Sequence, residues 1–405
     1  MQLKYNVRGV VGKDIGEKEI KYFGKCIINY IYHNKYTPSI IIGKDNRVTS
    51  DYILNLLNSV LLKNGIEVNV VGVVTTPELR FLTKKFQFSL GVMITASHNS
   101  KEFNGFKCFD SCGDMVDIHK QNIKTYKVKR YEKVVDISKF KELYLRELKN
   151  RLNANKIKCV FDCANGASVE VVRKVFSKHQ IIGCDTSGHY INDDYGSQCL
   201  DNVRTICKKY KKIGFAFDGD ADRVVAIDER GEVIDGDKIL YILATQKLGF
   251  GDKVVGTSVS SLGLEISLRR LGVNLIREKV GAKYVARRMK QENIILGGEG
   301  CGHIFSSSSV SDGVAVAIEL INILERTGLN FGQLLTGYKQ MYSLTKDIDI
   351  NKVNDIVEFE YNDKEVRVVV RKSETEQVLR VFVEGESKDI VENKINNLIQ
   401  ELGWK

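Results

Sequence analysis

Short apolar runs that end in polar turns, separated by stretches in which apolar residues recur every three to four positions, organise most of this 405-residue chain. In the first 145 residues the runs 39–43, 68–74 and 90–94 read as strands. Between the first two, 50–63 (SDYILNLLNSVLLK) puts Ile53, Leu54, Leu57, Val60 and Leu61 on one helical face. Strands alternating with helices imply parallel βαβ units. The pattern returns over 146–245, with strands at 158–162, 180–184, 213–217 and 224–228 and a helix at 169–178. It returns again over 246–345, with strands at 253–259, 274–277, 294–296 and 303–305 and a helix at 260–271. Beyond that, 357–361, 365–370 and 378–383 are β-rich with no helix between them, and a helix at 388–402 follows. The expected fold class is α/β: three similar α/β domains with mixed sheets (1–145, 146–245, 246–345) and a smaller C-terminal α+β domain (346–405).

Length alone argues for several domains, because single cores stop growing at about 250–300 residues. No run approaches the ~18 apolar residues of a membrane span, and the first residues show no signal-peptide core, so a cytoplasmic protein is expected. Nine cysteines occur singly or as C-x3-C pairs (Cys108 with Cys112, Cys159 with Cys163), a spacing poor for zinc and for a disulfide framework. Reduced structural thiols are the expectation. The net charge of +10 comes from scattered lysines with clusters at 127–133 and 208–212. Neither cluster has the repeated aromatic positions of a groove that tracks a nucleic-acid strand. Both read as solvated faces, and no nucleic-acid partner is expected.

Four clusters carry candidate chemistry. In 91–107 (GVMITASHNSKEFNGFK) a buried strand empties into a turn holding Ser97 and His98, with Asn104 and Lys107 close behind. Side chains just past a strand end face the crevice where open α/β sheets bind ligands. In 217–223 (FDGDADR) Asp218, Asp220 and Asp222 crowd one tight loop between apolar strands. Three such carboxylates repel unless a cation joins them, and oxygen-only ligands suit a hard ion such as Mg²⁺. An EF-hand is discounted, since Arg223 stands where that loop needs glycine and the flanks are strands. In 297–303 (GGEGCGH) four glycines admit a ligand close to the backbone, Glu299 can accept hydroxyl hydrogen bonds, and His303 can donate to a phosphate or move a proton. In 371–377 (RKSETEQ), with Arg380 beyond, two arginines and two hydroxyls suit a phosphate. Arg8, flanked by Gly9, opens the chain; spacing alone does not say whether it binds an anion.

The order ASHN, DGDADR, GGEGCGH, RKSETEQ resembles the α-D-phosphohexomutases over essentially the whole chain. Longer stretches (162–167, 191–198, 233–237, 255–264 and 279–285) are most similar to the bacterial phosphoglucosamine mutases, whereas 5–12 (YNVRGVVG) looks like the phosphomannomutase/phosphoglucomutase branch. The resemblance implies an isomerase in which Ser97 carries a phosphoryl group. Mg²⁺ would be held by that phosphoserine, Asp218, Asp220 and Asp222. Arg8, His98, Lys107 and Arg223 would contact the reacting phosphate, with Lys107 or His98 accepting a proton. Glu299, Cys301 and His303 would hold the sugar, and Arg371, Ser373, Thr375 and Arg380 the other phosphate. One cluster per domain implies a central cleft. The implied reaction interconverts glucosamine 6-phosphate and glucosamine 1-phosphate through a 1,6-bisphosphate, with hexosamine 1,6-bisphosphate as activator. It serves amino-sugar metabolism and UDP-N-acetylglucosamine biosynthesis. The implied partners are small phosphosugars, with no membrane and no nucleic acid, and the assembly expected is a homodimer.

The alternatives are a phosphomannomutase or phosphoglucomutase with a wider sugar range, or a phosphosugar-binding protein with little turnover. The chain departs from the family pattern at Glu374 (usually Gly), Gln377 (Pro), Cys301 (Ser), Gly300 (a polar amide or Met) and Ser100 (Pro). A carboxylate at 374 would repel a phosphate.

Overall fold

Strands Val7–Val10, Phe103–Phe109, Leu90–Ile94, Ser39–Lys44, Glu67–Val73 and Val135–Asp136 hydrogen-bond in that order into a six-stranded mixed sheet. Ser39–Lys44 pairs in parallel with both Leu90–Ile94 and Glu67–Val73, while Phe103–Phe109 runs antiparallel to its two neighbours. Successive side chains of a strand face opposite sides. Ile40, Ile42 and Val92 accordingly join one apolar cluster with Phe23, Ile27, Ile53 and Leu57 of the helices Glu17–His33 and Ser50–Lys63. Ile41 and Met93 join another with Leu79 and Leu82 of the helix Thr76–Phe86. Burial on both faces is why these strands read as unbroken apolar runs.

A second sheet follows in the order Val233–Ile234, Val224–Ile227, Ile213–Phe217, Cys159–Asp162, Gln180–Ile182. Its core joins Val160, Ala216 and Ile227 to Val203 and Cys207 of the helix Asp201–Tyr210. The computed structural model describes residues 7–118, 126, 131–154, 156–308, 310–350, 353, 358–362, 366–373 and 377–401. It forms two compact units: Met1–Asp235 with Cys301–Phe331, and Gly236–Gly300 with Gly332–Lys405. The segment 301–331, assigned by the sequence pattern to the third domain, thus packs with the first two. Val224 N donates to Gly302 O at 3.0 Å, and Gly313 N, at the start of the helix Gly313–Thr327, to Ala221 O at 3.1 Å.

In the second unit Asn274–Glu278, Lys253–Thr257 and Leu296–Gly298 lie side by side as parallel strands, accompanied by the helices Gly236–Lys247, Leu262–Arg270 and Ala282–Glu292. A four-stranded antiparallel sheet comes last, in the order Tyr342–Asp349, Val378–Gly385, Val366–Lys372, Phe359–Asn362. Val368, Leu379 and Val381 pack there against Val391 and Ile395 of the helix Lys388–Glu401.

The expected α/β architecture with a smaller α+β end is thus present. The limits 145, 245 and 345 fall inside the helix Lys141–Arg151, the helix Gly236–Lys247 and the strand Tyr342–Asp349. The strand expected at 294–296 instead runs Leu296–Gly298, because Ile295 is exposed. Val7–Val10, Phe103–Phe109 and Tyr342–Asp349 are strands the apolar pattern did not announce. Tyr342–Asp349 lies at a sheet edge and is largely exposed, which explains its polar sequence. Val357, Glu365 and Leu402, the ends of three expected elements, lie outside the described residues. All nine cysteines are free, as expected. No helix among the described residues is long and apolar enough to cross a membrane.

Candidate active site

The fully buried strand Leu90–Ile94 ends in Thr95-Ala96-Ser97. The Thr95 hydroxyl accepts from Ser97 N at 2.9 Å, and Ser97 takes the left-handed backbone conformation, φ 54°. That conformation is uncommon for a residue with a Cβ, and it re-aims the side chain at a functional turn. Ser97 Oγ is buried and donates to Asp218 Oδ2 at 2.6 Å. Asp218 opens the loop that joins the antiparallel strands Ile213–Phe217 and Val224–Ile227. Asp218, Asp220 and Asp222 are all buried there, each with a carboxylate oxygen within 4.8 Å of the others.

Their partners fill only part of their capacity. Lys107 Nζ donates to Asp220 Oδ2 at 2.6 Å and to Asp222 Oδ2 at 2.7 Å, and Thr76 Oγ1 donates to Asp220 Oδ2 at 2.5 Å. Oδ1 of Asp220 and Oδ1 of Asp222 are buried and accept no hydrogen bond. Burial, then repulsion from Asp222 and Asp220, holds the Asp218 carboxyl well above the usual range. Burial pushes Asp222 the same way, but Lys107 and Arg223 outweigh it and keep that carboxyl below its ordinary value. Three clustered carboxylates with two orphaned oxygens fit a hard divalent cation, which would relieve the repulsion at Asp218. Asp218, Asp220 and Asp222 are therefore the residues that would hold Mg²⁺.

Cationic and imidazole groups surround this loop. Arg8 Nη1 donates to Asn99 Oδ1 at 2.7 Å; burial lowers the Arg8 pKa, while Asp220, Asp222 and Asp218 act against that fall. Arg223 N donates to Asp218 Oδ1 at 3.2 Å, and Arg223 Nε donates to His303 Nε2 at 3.0 Å. His303 Nδ1 lies 3.1 Å from Asp222 O. The two bonds together assign a neutral ring with its proton on Nδ1. Burial and then Arg223 hold His303 well below its usual pKa. Burial, followed by Arg223 and Arg8, does the same to His98, whose buried Nδ1 has no hydrogen-bond partner. Lys107 stays an ammonium: burial acts to lower its pKa, but Asp220 and Asp222 outweigh that and raise it. Of the two candidate proton acceptors, Lys107 is thus held as an ammonium, whereas His98 is a neutral imidazole.

The first unit thus brings together Ser97, His98, Lys107, Arg8, Arg223, His303 and the three aspartates. Cys301, half-buried, also belongs to it. The remaining candidates belong to the second unit. Glu299, just past the strand Leu296–Gly298, is buried and accepts from Gly281 N at 2.9 Å. Arg371 and Arg380 stand opposite each other on paired strands. Arg380 Nε donates to Asp347 Oδ1 at 3.0 Å, and the buried Ser373 donates its N–H to Val378 O at 2.9 Å. Glu374 and Thr375 lie outside the described residues.

Four residues here were not singled out by sequence reasoning: Arg47, Asn192, Thr76 and Ser311, whose Oγ donates to Asp222 O at 2.5 Å. Arg47 follows the end of Ser39–Lys44, as Ser97 follows the end of Leu90–Ile94, and that parallel was the available signal. Asn192 lies in the 191–198 stretch noted above for its resemblance.

Comparisons with known proteins agree on all four segments. Models of phosphoglucomutase/phosphomannomutase alpha/beta/alpha domains I, II and III match residues 2–132, 142–231 and 235–342, and that of the C-terminal domain matches 337–398. A phosphoglucosamine mutase of Natranaerobius thermophilus is 32% identical, over 97% of this chain and 96% of its own length. One from Dictyoglomus turgidum is 34% identical over 98% and 96%. A phosphoglucomutase/phosphomannomutase family protein of known structure from Burkholderia thailandensis superposes with TM-score 0.82 at 20% identity, over 98% of this chain and 96% of that one.

Proposed function

The chain belongs to the phosphoglucomutase/phosphomannomutase family of intramolecular phosphotransferases, and on that premise we propose that it interconverts glucosamine 6-phosphate and glucosamine 1-phosphate. The curated phosphoglucosamine mutases, 31–34% identical over at least 90% of the chain, support that sugar. The reading of the chemistry is carried by one observation: the buried Ser97 hydroxyl lies 2.6 Å from a carboxylate oxygen of a three-aspartate loop.

In this mechanism Ser97 Oγ carries the phosphoryl group. The Oγ–P bond breaks as a bond forms from phosphorus to O1 of glucosamine 6-phosphate. His98 takes the proton of O1–H and gives one proton to Oγ as the Oγ–P bond breaks. The 1,6-bisphosphate turns over, its O6–P bond breaks as a bond forms from phosphorus to Oγ, and the Oγ–H proton passes through His98 to O6. Glucosamine 1-phosphate departs and the phosphoserine is restored. Arg8, Lys107 and Arg223 bind the equatorial phosphate oxygens and offset their charge. Mg²⁺, when held by Asp218, Asp220, Asp222 and the phosphoserine, neutralises charge on the transferring group. Glu299, Cys301 and His303 hold the sugar, and Arg371, Ser373, Thr375 and Arg380 grip the phosphate that is not reacting. Activation by hexosamine 1,6-bisphosphate, a role in UDP-N-acetylglucosamine synthesis, a cytoplasmic homodimer without nucleic-acid or membrane partners, and a division into four domains belong to the same proposal.

The test is turnover of the 6-phosphates of glucosamine, glucose and mannose, each incubated with Mg²⁺, a hexose 1,6-bisphosphate and the purified protein. Each 1-phosphate is quantified by ³¹P NMR. Glucosamine is expected to be preferred, and Ser97→Ala to give no detectable conversion at an unchanged melting temperature. Preference for glucose or mannose would overturn the sugar assignment; turnover by Ser97→Ala would overturn the phosphoserine.

A further inference from the structure

The turn that presents Ser97 does not hold itself. After Ser97 the chain doubles back so that the carbonyl oxygens of Ser97 and Asn99 converge on the same donors. Two side chains from separate parts of the sequence meet them there. Arg47 Nη2 donates to Ser97 O at 3.0 Å and to Asn99 O at 2.7 Å. Asn192 Nδ2 donates to the same two oxygens, at 2.7 and 2.9 Å. Arg47 goes further, with Nη1 on Ser100 O at 2.5 Å and on Phe103 O at 2.8 Å. One guanidinium thus holds four carbonyls, those of Ser97, Asn99, Ser100 and Phe103, in a turn that would otherwise set like dipoles against one another.

Both donors are themselves held in place. Arg47 is buried, and its Nε donates to Asp45 Oδ2 at 3.0 Å. The other oxygen of Asp45 accepts from Arg47 N at 3.1 Å and from Ser50 Oγ at 3.0 Å. Asn192 has φ 58°, a left-handed conformation that asparagine tolerates better than most residues. Its N–H donates to Ala164 O at 2.8 Å. Gly219, between two of the aspartates, completes the packing: a Cβ there would come within 2.8 Å of Ser97 O and 3.1 Å of Asn192 Nδ2.

We propose that Arg47 and Asn192 form a clamp across the first two segments of the chain that fixes the left-handed Ser97 turn and so aims Oγ at the aspartate loop for phosphoryl transfer. Neither side chain donates to Oγ, so both are positioning residues and act through the backbone. Lysine at 47 keeps the charge beside Asp45 but not the planar fork that reaches four carbonyls. Glycine at 192 keeps the left-handed backbone at no steric cost and removes only the amide donor. Because phosphoryl transfer depends on alignment, loss of the clamp is expected to appear in kcat with KM for the sugar phosphate nearly unchanged. A misplacement of about 1 Å costs up to roughly a hundredfold.

The inference rests on the phosphoserine reading, and its test separates the two. Wild type, Arg47→Lys and Asn192→Gly are compared in the single-turnover rate of transfer from Ser97, normalised to phosphoserine content by intact mass. Hydrogen exchange is followed in the peptide spanning 95–103. The clamp predicts faster exchange confined to that peptide and a transfer rate roughly ten to a hundred times lower per phosphoserine. Unchanged exchange, or faster exchange with an unchanged transfer rate, would overturn it. If Arg47→Lys does not fold, Asn192→Gly alone decides. A wild-type chain with no transferable phosphate would sink the proposed function, and exchange would still read the clamp: protection lost in Asn192→Gly supports it, protection kept overturns it.

Discussion

Lys107 and Glu78 are both buried ionisable side chains, and their neighbours settle them in opposite states. Lys107 meets two carboxylates within 2.7 Å and keeps its proton against the pull of burial. Glu78 has no such partner: its Oε1 is buried without a hydrogen bond, and burial pushes its carboxyl up to about 8 despite attraction from Lys141. The sign of the consequence follows from proton counts. Above about 4.5 an unfolded glutamate has lost its proton, whereas native Glu78 keeps its own up to about 8. Stability contributed by this site therefore falls as pH rises through that window and levels off above it. Glu78→Gln, which cannot ionise, is expected to melt higher than wild type at pH 8 and to lose that advantage near pH 5, as read by thermal denaturation at a series of pH values. A constant difference across the window would contradict the protonated native state. At this scale the residues with unusual chemistry were legible as types and spacings. Their protonation was not, because it depends on which distant charges the fold brings beside them.

The helix Thr76–Phe86 is an element whose end matters more than its body. Thr75 caps it by accepting from Glu78 N at 3.2 Å, and Pro77 sits in its first turn. The Thr75-x-x-Glu78 spacing with that proline is a recognised start signal, but the mixed polarity of TPELRFLTKKF hid the helix from periodicity. Its N-terminus holds the three-aspartate loop: Thr76 N donates to Asp220 O at 2.9 Å and Thr76 Oγ1 to Asp220 Oδ2 at 2.5 Å. Hydrogen bonds of this kind orient a ligand, and their loss typically costs ten- to a hundredfold in metal affinity. Thr76→Val is expected to weaken Mg²⁺ binding by about tenfold, measured by calorimetric titration of the protein without sugar. Wild-type affinity in that variant would show that the Thr76 hydroxyl does not orient Asp220. Elements buried on both faces, such as Leu90–Ile94 and Ile213–Phe217, were read to the residue because continuous burial leaves continuous apolar sequence. Phe103–Phe109 was missed because it carries Asn104 and Lys107 inward to polar partners instead of apolar ones.

At the scale of the molecule, the chain crosses between its two units at 235/236, 300/301 and 331/332. The first unit is therefore incomplete without a segment that comes much later in the sequence. The helix Gly313–Thr327 supplies Val314, Ala317 and Leu320 to the buried core. The capping residue Asp312 accepts from Ala315 N at 2.9 Å and from Tyr144 OH at 2.8 Å. His303 reaches Arg223 from the same segment. A chain ending at Asp235 is expected to show no cooperative thermal transition, whereas the full chain does. A sharp transition in the shortened chain would show that residues 301–331 are dispensable to that core.

The sequence by itself determined the α/β class, the smaller terminal domain, the four motif clusters and the chemistry each is fit for. Those follow from apolar periodicity and from residue types at close spacing, both of which are local properties of the chain. Only the tertiary structure decided that residues 301–331 close the first unit, that Lys107 is spent on Asp220 and Asp222, and that Arg47 and Asn192 hold the Ser97 turn. Each of these joins residues separated by 50 or more positions. Such pairings are set by which faces and loop ends the packed sheets bring together, and no local pattern records them.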